Sequence, residues 1–240
     1  MVAAFQTTKN PHFWVHAFPA QRVFFVLLGC CAVTVLLVSG LILSAPNEPT
    51  MGFVQRIFYF HVPCAWVALL GALVAGVAGI VFLFHRSDAA DRVVVAATEL
   101  VILFGLCVLI TGPLWAKRAW GTFWQWDVRL TTTLLLWIVF VVAHLARVYA
   151  GPDGSRLAAG LAVFALVDVP LIYVSVSWWR HQHPKNTVVR TLDPAMRPAF
   201  WISMLAITMV FALLFWFRQR LERQSREVQC LLASQGEDEV

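Results

Sequence analysis

The sequence predicts an all-α integral membrane protein: six transmembrane helices, with a tryptophan-rich outer loop between the third and the fourth. Three observations carry this. Hydrophobic residues make up 60% of the 240-residue chain and charged residues only 13%, too little charge for a soluble domain of this size. Six apolar runs are long enough to cross a hydrocarbon core of about 30 Å. Four tryptophans and one phenylalanine crowd into the polar break from Trp115 to Trp126.

The predicted spans, in order, are Val23–Ser44, Phe60–Phe84, Val93–Thr111, Leu130–Tyr149, Leu157–Trp178 and Ala199–Phe217. The first is too long for the apolar core of a cleaved signal and follows a polar segment, so it reads as an uncleaved anchor. The second opens at His61, and Pro63 suits the first turn of its helix. Gly112-Pro113 is expected to end the third span and to present the tryptophan segment at an angle, and Pro170 to kink the fifth. The sixth is followed by a basic juxtamembrane stretch, Arg218 to Arg226, which suits an anionic cytoplasmic surface. The organisation expected is a cytoplasmic N-terminal segment (1–22), one six-helix transmembrane domain (23–217) and a cytoplasmic C-terminal tail (218–240).

Composition excludes several functions. The net charge of +5 is spread over the connections with no long basic run, so no nucleic-acid partner is expected. Cys30, Cys31, Cys64, Cys107 and Cys230 form no C-x-x-C, no C-x-x-C-H and no zinc spacing. They read as small hydrophobes, which disfavours thiol exchange and covalent haem attachment to this chain. No Gly-rich phosphate loop is present.

Six spans put both termini on one side of the membrane, and the first, third and fifth connections share the other. His61, the tryptophan segment and the pair His181/His183 therefore face one compartment by parity alone. The terminal side carries ten Lys and Arg against eight opposite, a small bias toward cytoplasmic termini. Interface anchoring distributes tryptophan to both faces, yet eight of the eleven lie on or near the face of the odd connections. Among them are Trp115, Trp120, Trp124, Trp126, Trp178 and Trp179, a pattern that suits a one-sided aromatic site. Asp127 and Arg129 adjoin it and could orient something polar; together these features fit a large planar ligand with acidic groups. Neutral imidazole is a good iron ligand, and two can hold haem iron axially. Glu99 and Asp168 lie inside apolar runs, where ionisable groups are costly, and the sequence offers neither a partner.

Four elements, from the second span to the sixth, carry a resemblance. They are His61-Val-Pro-Cys-Ala-Trp66, the run Trp120-Gly-Thr-Phe-Trp124-Gln-Trp126-Asp127-Val-Arg129-Leu-Thr131, Ser175-Val-Ser-Trp178-Trp179, and Asp193-Pro-Ala-Met-Arg197. In these the chain resembles the haem-handling membrane protein family with a tryptophan-rich motif, specifically its cytochrome c maturation protein C (haem exporter protein C) branch. Phe123 stands where some members carry Trp. The resemblance implies haem b bound at the outer face of an energy-transducing membrane, the bacterial inner membrane or its mitochondrial counterpart. It implies His61 and His183 as axial iron ligands, with His181 the runner-up because the two histidines are only two residues apart. Trp120, Trp124 and Trp126 would pack around the macrocycle and Asp127 would shape the loop. Arg129, Arg56, Lys117, Arg118 and Arg180 are all placed to meet propionates, Arg129 first because it belongs to the motif. The implied partners are the haem chaperone (maturation protein E), the ABC transporter of maturation proteins A and B, which would hydrolyse the ATP, and the single-span maturation protein D. This is a delivery subunit, not an enzyme. Two other readings stay open: a membrane redox enzyme fed by quinol, and a small-molecule permease without haem.

Overall fold

The structure, a computed structural model, describes residues 11–178, 183 and 188–237. Its elements are α1 (Pro11–Ser44), a 3-10 turn (Phe53–Ile57), α2 (Phe58–His85), α3 (Asp88–Trp120), α4 (Val128–Tyr149), a second 3-10 turn (Gly151–Asp153), α5 (Gly154–Trp178), the short α6 (Val188–Thr191) and α7 (Arg197–Glu237). Six of them are long and apolar enough to cross a membrane, as expected.

α2 and α3 form the central hairpin, α4 and α5 pack on one flank, α7 on the other, and α1 lies along α7. The hairpin turns tightly. Arg86 adopts a left-handed conformation (φ 53°) and returns its N–H to Phe82 O, and Ser87 caps α3 by accepting the Ala90 N–H. Lipid is as apolar as leucine, so helix contact in a membrane rests on close packing rather than on exclusion of water. Small residues supply it here. Ala72, Ala75, Gly76 and Gly79 of α2 meet Ala159, Ala162 and Ala165 of α5 as buried neighbours. A Cβ on Gly79 would stand 2.9 Å from Ala159 O, and one on Gly76 would stand 2.8 Å from Leu166 Cβ. Neither position admits a larger side chain without separating the helices.

One expectation is corrected, and α7 adds contacts that the sequence does not show. α3 does not stop at Gly112-Pro113 but continues to Trp120, where Gly121 (φ 79°) takes the left-handed cap and gives its N–H to Lys117 O. Proline removes one N–H from the ladder, a local loss that a long, packed helix absorbs. Trp115 and Trp120 therefore sit on a helix, and only Trp124 and Trp126 sit in the connection. α7 runs unbroken past Phe217 to Glu237. Of the arginines in its basic stretch, Arg218 and Arg226 turn inward, while Arg220 and Arg223 stay exposed. Arg218 holds Glu99 with two bonds (2.6 and 2.8 Å) and Glu222 with a third. Arg226 and Arg147 both hold the buried Asp91, each at 2.5 Å. So Glu99 has a partner, 119 residues away in the chain.

Candidate functional site

At the end of the bundle where α2 begins and α3 ends, a cleft opens between α2, α3 and α4. Its empty space, taken out to the open mouth, is about 1360 Å³. One face of α2 lines it (Phe58, His61, Val62, Ala65, Leu69), and so does one face of α3 (Val101, Gly105, Val108, Gly112, Trp115). These recur at the three- and four-residue spacing that keeps side chains on one side of a helix. Trp120, Trp124, Arg129, Thr133, Trp137 and His183 also line it. The lining is mostly apolar, with a few polar groups converging on it, the usual make-up of a ligand site.

Each polar group is placed by an identifiable local device. His61 stands in the first turn of α2, and its Nδ1 lies 2.9 Å from Thr111 Oγ1 of α3. Gly112, next along, leaves room for the ring: a Cβ there would stand 3.2 Å from His61 Cε1. Asp127 is the N-cap of α4, where Oδ1 accepts the Leu130 N–H at 2.8 Å. That cap starts α4 at Val128 and so sets Arg129 in its first turn, against the cleft. Trp115 and Trp120 meet edge to face at 5.7 Å, as do Trp124 and Trp126 at the same distance.

Three buried donors on this cleft have no hydrogen-bond partner: Trp115 Nε1, Trp124 Nε1 and Arg129 Nη1. A buried, unmade hydrogen bond costs about 1–3 kcal/mol, and more at a charged group. Asp127 Oδ2, two residues from Arg129, is also buried without a partner. A ligand bringing acceptor oxygens would suit the three donors, above all carboxylates facing the guanidinium. The donor set thus fits haem, whose iron takes imidazole and whose propionates take N–H donors.

The residues singled out from the sequence divide. His61, His183, Trp115, Trp120, Trp124 and Arg129 line the cleft. Trp126 does not; it is 77% exposed and, with Leu109, Trp124 and Leu134, borders only a shallow neighbouring dimple. Trp178 is 71% exposed at the end of α5 and is not among the lining residues. Trp179, His181 and Arg180 lie outside the described residues. Of the other basic candidates, Arg56 is committed to the end of α1 and the residues after it, donating to Ile42 O, Leu43 O, Ala45 O and Asn47 Oδ1. Lys117 donates to Gly121 O, and Arg118 to Thr50 O. These three hold backbone together, which leaves Arg129 as the described arginine that reaches the cleft. Sequence reasoning missed Thr111, Gly112 and Trp137. Thr111 lies 50 residues from His61 and carries no local signal of the contact.

The family profile described as “Heme exporter protein C” matches residues 4–233. The “Heme exporter protein C” of Bradyrhizobium diazoefficiens is 34% identical over 215 residues, 85% of this chain and 81% of its own length. That of Escherichia coli K12 is 35% identical over 182 residues, 73% of each chain. A “Putative cytochrome c biosynthesis ccmC-like mitochondrial protein” of Marchantia polymorpha is 31% identical over 193 residues, 80% of this chain and 81% of its own length.

Proposed function

The chain belongs to the haem exporter protein C family, and from that premise we propose that its cleft carries haem b as cargo for the biogenesis of c-type cytochromes. The observation that carries the reading is the coincidence, in one apolar cleft, of His61, His183 and three partnerless N–H donors. His61 and His183 are the axial iron ligands in this reading. Trp115, Trp120 and Trp124 supply aromatic walls for the macrocycle. Arg129 and the two indole N–H groups meet the propionates, and Asp127 serves the site by starting α4 where it does.

The cleft opens at the outer face of the membrane, the termini are cytoplasmic, and 1–22 and 218–240 flank the six-helix domain on that inner side. The membrane is the bacterial inner membrane, or the mitochondrial one in an organellar setting. The chain's part is to bind, orient and hand on. Aromatic contact and ion pairing hold a ligand without making it unrecoverable, as a carrier requires. Its receiver is the haem chaperone, maturation protein E. Maturation proteins A and B, which hydrolyse ATP, and maturation protein D complete the complex. In this reading Trp126, exposed and outside the cleft lining, meets the receiver rather than the cargo.

The test is haem handover in membranes containing the chain and the chaperone. With His61→Ala or His183→Ala, the haem recovered on the chaperone should fall to background. Normal cytochrome c maturation in both variants would mean that the ligands lie elsewhere, with His181 next to be replaced.

A further inference from the structure

The hydrogen bonds around His61 allow its protons to be counted. Thr111 Oγ1 lies 2.7 Å from Cys107 O and 2.9 Å from His61 Nδ1. A hydroxyl has one proton to give and two lone pairs. A carbonyl oxygen can only accept, so an approach of 2.7 Å between two oxygens requires the threonine proton to lie on that line. Nothing is then left for Thr111 to donate to His61, and the imidazole must be the donor of the second bond. Gly112 leaves open the space that this edge of the ring occupies, since a Cβ there would stand 3.2 Å from Cε1 and 3.8 Å from Nδ1. The ring is held on α3 by a bond and a fitted gap together.

We propose that Thr111 is the positioning residue of His61: its hydroxyl, oriented by Cys107 O, accepts the Nδ1–H, fixes that tautomer and leaves Nε2 as the bare, metal-ready nitrogen. A ligating histidine commonly gives its other N–H to an acceptor, which sets the ring's orientation and raises its basicity. Thr111 fills that role from a different helix, so the tautomer depends on the register of α2 against α3. The consequence for iron rests on the haem-carrying reading above, whereas the tautomer is a property of the chain alone.

The experiment has two arms on the full-length protein in nanodiscs. In the first, haem-free protein labelled with ¹⁵N-histidine is observed by NMR, and His61→Gln identifies the His61 signals among the seven histidines. Wild type and Thr111→Ser should both show a protonated Nδ1 and an unprotonated Nε2. Thr111→Val, which keeps the shape and removes the acceptor, should lose that preference. In the second arm, the midpoint potential of bound haem should rise in Thr111→Val, because a less basic imidazole favours iron(III) less, and should stay near wild type in Thr111→Ser. A protonated Nε2 in the wild type, or the same tautomer in Thr111→Val as in wild type, would overturn the proposal. A haem spectrum indifferent to His61→Gln would strike down the ligand assignment instead, and the NMR arm would still decide the role of Thr111.

Discussion

Two clusters of polar groups, one toward each end of this helix bundle, contrast. At the end near the chain termini, Asp91, Glu99, Arg147, Arg218, Glu222 and Arg226 are joined in a network bridging α3, α4 and α7, with bonds of 2.5–3.2 Å. At the other end, Trp115 Nε1, Trp124 Nε1 and Arg129 Nη1 are buried without partners around an apolar cleft. α3 joins the two ends: from Asp91 to Trp115 it rises about 36 Å, at 1.5 Å per residue. Burying an uncompensated charge costs several kcal/mol, which the pairing of these carboxylates avoids, whereas in the proposed reading the donors at the other end are left for a ligand. The paired end reads as structure and the unpaired end as a site.

Breaking the paired end should cost the most. Asp91→Ala leaves Arg147 and Arg226 without their shared carboxylate, and the loss of such a buried partner is worth about 3 kcal/mol. Thermal unfolding in detergent should show the drop, while haem affinity of the protein that remains folded stays at the wild-type value. At the unpaired end, Arg129→Gln should weaken haem binding by about 2 kcal/mol, roughly 30-fold, without lowering the unfolding temperature. Trp115→Phe and Trp124→Phe each keep the ring and remove only the N–H. Each should cost about 1 kcal/mol, near fivefold in a haem titration. The smallest effect belongs to Arg223→Ala, whose bond to Glu227 is exposed; it should stay within about 0.5 kcal/mol in either assay.

How much of this was legible in the sequence follows from what a sequence pattern can encode. The six spans are local, each a run of apolar residues, and they appear as six helices. Span parity places His61, the tryptophan segment and His183 on one side from the count alone. It fixes a side, however, and not the path of a connection, so it cannot separate Trp124, in the cleft wall, from Trp126, which is exposed two residues on. Pro113 suggests a stop because one missing N–H counts heavily in an isolated helix, while packing on α2 carries α3 through it. The ion network was out of reach for another reason. Asp91 lies 56 residues from Arg147 and 135 from Arg226, and each charge read alone is an ordinary juxtamembrane residue. The same holds for Thr111, whose meaning comes only from where α2 sets His61.

The central claim is that the unpaired end holds haem through His61 and His183. The most direct measurement is the absorption spectrum of the chain purified from haem-replete membranes, beside the double variant His61→Ala/His183→Ala. The account predicts a Soret band with low-spin features in the wild type, lost or displaced in the double variant. An identical spectrum in both proteins would contradict it.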